Sequence, residues 1–191
     1  MDGQPTGALP PMFARLLFAR LLFASLLFAA PALAEETKPD AETSTFGTWT
    51  MRCIAPARED LPPCDILQTV TNRDNGQTIM QASFAYSPPQ DKYAVQLVLP
   101  LGFLIPAGVL VRVEGGKDIT DWPVTRCEAV GCLVERLLTA ADFQEFRSHD
   151  KGMVVVLDPQ GKPLALPLEF KGFAAALDAM TARNKAAHKP K

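Results

Sequence analysis

The side chains in this sequence with the most reactive chemistry are four cysteines: Cys53, Cys64, Cys127 and Cys132. An even count in an exported chain reads as a disulfide framework, with three possible connectivities. Pairing Cys53 with Cys64 and Cys127 with Cys132 joins near neighbours, and each interval holds a turn-former, Pro62-Pro63 in one and Gly131 in the other. The second loop is short, so its bond would pin a local turn more than it restrains the unfolded chain. A four-cysteine zinc site fits poorly, because zinc ligand pairs sit about two to four residues apart and ten residues separate Cys53 from Cys64. No Cys-x-x-Cys is present to lower a thiol pKa for redox work.

Other catalytic chemistry finds few candidates. His149 falls near the end of a short predicted helix and His188 in the C-terminal tail, so neither is placed for proton transfer. Nucleophile-elbow, zincin, P-loop and dinucleotide-binding signatures are missing from the sequence. Carboxylates are scattered, with Glu59-Asp60 and Asp118/Asp121 in predicted loops; a carboxylate-dependent hydrolase needs two of them at a set separation. These residues point to a non-enzymatic protein with no catalytic residue, no metal and no cofactor.

Binding has a better candidate. Leu97 to Val111 runs fifteen residues without a charge, and within it Leu101, Phe103, Leu104 and Ile105 could form an exposed apolar patch for a partner. The same segment also reads as a core-facing connection between strands. The basic tail (Arg183, Lys185, Lys189, Lys191) is sparser than the clusters that hold anionic lipid.

The elements positioning these residues are mostly strands. Seventeen prolines and twelve glycines without a period imply many short elements. Alternation predicts strands over Trp49–Cys53, 65–71, 78–86, 94–99 and 108–114. Asn75-Gly76 predicts a type I′ hairpin turn. Trp122–Cys127 and Cys132–Leu137 read as a pair, followed by strands over 153–157 and 163–170. Thr139 with Asp142 resembles a capping box for a short helix, and Phe173, Leu177 and Met180 recur at helical spacing over 172–184. About nine strands with two late helices make a mainly β fold, an antiparallel β-sandwich.

Residues 1–34 read as a signal peptide, with Arg15 and Arg20 before an apolar run and Ala32-Leu33-Ala34 as the cleavage site. The start is Met1 or Met12. The uncharged run is too short to span a bilayer and Pro31 interrupts it, so no transmembrane span remains after cleavage. The expected organisation is a flexible leader over 35–45, one domain over 46–184 and a basic tail over 185–191. A net charge of −2 leaves no basic excess for nucleic acid.

Phe46-Gly-x-Trp49 with Cys53, Cys64 with Gln68, Leu99-Pro-Leu-Gly102 with Pro106-Ala-Gly108-Val109, Cys127 with Gly131-Cys132, and Leu166-Pro-Leu168 with Lys171-Gly-Phe173 occur in order. This ordered set resembles the invasion-associated locus B (IalB) family of exported bacterial proteins. The resemblance implies an immunoglobulin-like β-sandwich in the periplasm or at the outer envelope. Binding to an envelope or host component is the leading expectation, with a periplasmic chaperone-like or structural role as the alternative. The resemblance itself implies an association with host-cell invasion and no defined activity. It names no partner, oligomeric state or catalytic residue.

Overall fold

Residues 41–54 and 61–188 are described by a computed structural model; the signal peptide expected over 1–34 lies outside them. Eleven strands form among the described residues, every pairing antiparallel. They are β1 (Ala41–Phe46), β2 (Trp49–Ile54), β3 (Cys64–Thr71), β4 (Thr78–Ser87), β5 (Lys92–Leu99), β6 (Val109–Val113), β7 (Ile119–Trp122), β8 (Arg126–Glu128), β9 (Gly131–Leu138), β10 (Lys151–Leu157) and β11 (Pro163–Glu169). Helices α1 (Gln144–Ser148) and α2 (Phe173–Ala187) come late in the chain.

The strands make two sheets, one in the order β1-β2-β3-β4-β5-β9-β8 and one in the order β11-β10-β6-β7. Apolar residues alternate along β2 to β5, and the buried set (Trp49, Met51, Ile66, Met80, Phe84, Val95, Leu97) forms the inner face of the larger sheet. Val109, Val111, Val154, Val156, Leu166 and Leu168 bury the inner face of the smaller one. The result is an open antiparallel β-sandwich, as the sequence pattern predicts.

Between the layers sits an aromatic cluster. Phe84 meets Trp49, Phe143 and Phe173 edge-on, with ring centroids 5.4, 5.7 and 5.2 Å apart, and Phe146 stacks on Phe170 at 4.7 Å. Such pairs contribute about 0.5–1.5 kcal/mol each beyond the area they bury. Helix α2 packs over β2, β3 and β4. Its Asn184 is buried and fully used: Nδ2 donates to the carbonyls of Cys64 (2.9 Å) and Tyr86 (3.1 Å), while Oδ1 accepts from the Cys64 amide (2.9 Å).

Several sequence expectations are corrected. The flexible leader expected over 35–45 gives way to strand β1 from Ala41 onward, because the Ala41–Thr45 backbone pairs with β2 and Glu42 bonds Arg183 at 2.9 Å. A polar edge strand and a solvated leader look alike by hydropathy. The basic tail expected from Lys185 starts later, since α2 runs to Ala187 and the Lys185 ammonium sits 5.2 Å from the Tyr86 ring centre; residues 189–191 lie outside those described. The strand expected over Trp122–Cys127 divides at Pro123, with Trp122 in the smaller sheet and Cys127 in the larger. The Asn75-Gly76 turn is not type I′, because only Gly76 has a positive φ. A wider loop forms instead, closed by the Asn72 amide on the Gln77 carbonyl at 2.8 Å.

Two sequence motifs over 120 positions apart touch directly. Gly47 (φ +60°) opens the two-residue β1–β2 turn, and a Cβ there would lie 2.4 Å from the Lys171 carbonyl oxygen. Gly172 (φ +87°) precedes α2, and a Cβ there would lie 2.2 Å from the Phe46 carbonyl oxygen. Positive φ costs a non-glycine residue about 1–2 kcal/mol, and the clash adds to it. Gly172→Ala is therefore expected to lower stability by about 2–4 kcal/mol. Gly161→Ala, at similar φ with nothing within 4 Å, should cost only about 1 kcal/mol. Urea unfolding midpoints at unchanged m-value measure the difference.

Candidate binding surface

The chain crosses from the larger sheet to the smaller through residues 100–108, inside the uncharged run Leu97 to Val111. Pro100 and Pro106 lack amide donors, so the ladder stops at Leu99 and restarts at Val109. Between them the Leu104 amide donates to the Leu157 carbonyl at 2.8 Å, and Ile105–Ala107 makes a single 3₁₀ turn. This anchors the crossing at the Leu157 end of β10.

The four residues singled out for binding divide. Leu101, Leu104 and Ile105 are exposed at 58%, 37% and 46%. Phe103 is not part of the surface, being only 8% exposed; it turns into the core and holds the segment from beneath. The segment is thus exposed at three positions and core-facing at Phe103.

Beside this patch lies a groove of about 630 Å³ whose lining includes Pro106, Leu110, Trp122, Pro123, Val155 and Leu157. Leu110 and Val155 are directly paired across β6 and β10 on the outward face of the smaller sheet. The Arg136 guanidinium lies 5.9 Å from the Trp122 ring centre and donates to the Asp121 carbonyl, bracing this wall from β9. The sequence hides these wall residues because Leu110, Trp122 and Val155 lie far apart in the chain. Their signal is the near-continuous apolar character of β6 and β10, more than one buried face requires.

The cysteines lie on the larger sheet. Cys53 and Cys64 are partners across β2 and β3 with sulfurs 2.11 Å apart, and Cys127 and Cys132 across β8 and β9 with sulfurs 1.99 Å apart. Both pairs are at disulfide distance.

A second depression, about 400 Å³, opens on the outward face of the larger sheet over Ser83, Ala85 and Ala94, with Asp65 and Glu135 at its sides. Asp65 takes two bonds from Arg52 (2.6 and 3.1 Å). Glu135 accepts from Gln96 at 3.0 Å and from Arg126. Their strands are three steps apart in the sheet, or about 14 Å, beyond the roughly 5–9.5 Å between glycosidase carboxyls.

The other titratable residues named from sequence are also placed. Glu59 and Asp60 lie outside the described residues. Asp118 pairs with Arg112 at 3.1 Å, and Asp121 accepts from the Thr120 hydroxyl. His149 sits against Glu145, its Nδ1 2.9 Å from that residue's carbonyl, and His188 ends α2. Among the described residues no three His, Cys, Asp or Glu converge as a metal site would require. Thr139 and Asp142 do form the capping box, and the Thr139 amide and hydroxyl hold the Asp142 carboxyl below its usual range.

Comparison with known proteins places these features in a family. A family model described as "Invasion associated locus B (IalB) protein" matches residues 49–181. Two Brucella abortus proteins named invasion protein B homologue, from strain 2308 and from biovar 1 strain 9-941, are each 26% identical over 145 residues. Each match covers 74% of this chain and 80% of the relative. The crystal structure of invasion associated protein b from Bartonella henselae superimposes with a TM-score of 0.68 at 22% identity, covering 77% of this chain and 99% of that one. That likeness establishes the fold.

One titration follows from the geometry. The Tyr86 hydroxyl donates to Asp91 at 2.7 Å, and that bond, with burial, pushes the phenol up to about 12. A folded pKa above the unfolded value of about 10 contributes stability that is complete below pH 10 and lost as pH rises towards 12. Tyr86→Phe should therefore be less stable than the parent at pH 8, with the gap narrowing through that alkaline window. Phenolate absorbance and thermal unfolding across pH 8–12 measure it.

Proposed function

The chain belongs to the invasion-associated locus B (IalB) family, and from that premise we propose that it is an exported envelope protein that acts by binding rather than by catalysis. The signal peptide over 1–34 delivers it to the periplasm, and the two cysteine pairs close as disulfides there. The protein then binds an envelope or host component through the patch formed by Leu101, Leu104 and Ile105 and the groove beside it.

One observation carries this reading. Three large apolar side chains stand in solvent next to an apolar groove, held there by a buried Phe103 and a main-chain bond to β10. Exposed apolar surface costs solubility, and a contiguous patch marks a contact site more often than an isolated residue does. Aligned apolar area also offers about 25 cal/mol per Å² on burial against a partner. The carboxylates of Asp65, Asp118, Asp121 and Glu135, in contrast, are committed to arginine, hydroxyl and amide partners, which supports binding over hydrolysis.

Two measurements test the reading. Protein exported by a Gram-negative host should begin at Glu35, and all four cysteines should resist alkylation until reduced; free thiols or an uncleaved chain overturns the address. The dye anilinonaphthalene sulfonate should brighten on the native protein. Leu104→Ser with Ile105→Ser should remove most of that signal without lowering the unfolding temperature by more than about 3 °C. An unchanged signal in the double variant places the binding surface elsewhere.

A further inference from the structure

We propose that β1 is a self-pairing edge, through which two copies of this chain join antiparallel into one continuous sheet. The inference comes from comparing the four sheet edges among the described residues. Proteins that must stay apart blunt their edges with prolines, charges, bulges or covering side chains.

Three of the edges are blunted. Strand β11 turns the main-chain groups of residues 163, 165, 167 and 169 outward, since Phe170 donates its amide to Asp150 on the β10 side. Pro163 and Pro167 have no donor to offer, and the Glu169 amide and carbonyl are taken by Gln68 and Trp49. Strand β7 is four residues long, its register with β6 shifts, Asp121 has φ +62°, and Arg136 takes the Asp121 carbonyl. Strand β8 has three residues, two of them an Arg126–Glu128 ion pair at 2.6 Å.

Strand β1 has none of these devices. It runs six residues without a proline or a bulge, and its one charge, Glu42, is bonded to Arg183 on α2. Ladder parity identifies the free groups. The Ile54 amide donates toward β3, to Pro63 at 2.9 Å, so Cys53, Met51 and Trp49 direct theirs to β1. Their partners Glu42, Ser44 and Phe46 are therefore the bonded ones, and Ala41, Thr43 and Thr45 present amides and carbonyls to solvent.

That outward set is complementary to itself. A two-fold axis through Thr43 sets Thr43 against Thr43 and Ala41 against Thr45 of the second copy, giving about six main-chain hydrogen bonds. Glu42 then faces Ser44, so no like charges oppose, and the Thr–Thr contact is a favourable cross-strand pair. Helix α2 is centred on β2 to β4 and meets β1 through the Glu42–Arg183 pair, whose Glu42 is one of the residues bonded to β2 rather than one of the outward set. An interface of one strand is small, so the dimer should be weak and concentration-dependent.

The test is sedimentation equilibrium of the exported chain, with variants at the axis. The parent should move from monomer to dimer mass as concentration rises. Thr43→Pro removes an outward donor without touching the β1–β2 bonds, and Thr43→Lys sets two charges together; each should weaken association at least tenfold while the far-ultraviolet spectrum is unchanged. Thr43→Cys should cross-link to itself on mild oxidation, because bonded antiparallel partners have Cα atoms about 5.5 Å apart, within disulfide reach. Thr45→Cys, which faces Ala41, should not. A parent that remains monomeric up to about 1 mM, dimerisation untouched by both Thr43 variants, or cross-linking at 45 rather than 43 overturns the proposal.

Discussion

Two apolar sheet faces can slide over one another at little cost, because hydrophobic burial has no direction. Gln68 removes that freedom here. From β3 in the larger sheet, its Nε2 donates to the Thr48 hydroxyl (2.8 Å) and the Glu169 carbonyl (2.9 Å), while its Oε1 accepts from the Glu169 amide (3.0 Å). The Trp49 indole adds a fourth bond, to the same Glu169 carbonyl. A buried amide left unpaired costs about 1–3 kcal/mol, so only one alignment of the two sheets satisfies the whole set. The aromatic cluster packs around that alignment and supplies the bulk of the attraction.

The same corner carries the contact between the β1–β2 turn and the start of α2. Thr48 donates its amide to the Lys171 carbonyl, and the two glycines let the backbones approach without side chains between them. The Phe46–Trp49 and Lys171–Phe173 motifs are thus two halves of one joint. Strand β10 begins beside this joint, where Lys151 pairs with Glu169, and ends at Leu157, where Leu104 is held. The joint and the apolar crossing therefore lie at opposite ends of one strand.

The charges serve this architecture more than any chemistry. Arg52–Asp65, Arg126–Glu135 and Arg147–Asp178 are partly exposed pairs along strand and helix surfaces. Pairs of this kind are screened by water and salt and add little to stability. They keep the carboxylates of Asp65, Glu135 and Asp178 paired with arginine.

Much of the fold was legible in the chain because strand alternation and turn residues act locally. The inner faces of β2 to β5, the capping box at Thr139 and Asp142, and the apolar stripe of α2 all follow from spacing of two or about 3.6 residues. The cysteine pairs were legible because each joins near neighbours. Sheet membership was not, since Trp122 and Cys127 look like one strand until Pro123 sends them to different layers. Nor could the sequence tell which of Leu101, Phe103, Leu104 and Ile105 face water, because a segment crossing between layers has no period. The groove walls, the Gln68 bridge and the open β1 edge join residues distant in the chain. Only tertiary packing decides them, because it alone brings those side chains and main-chain groups within hydrogen-bonding and van der Waals reach.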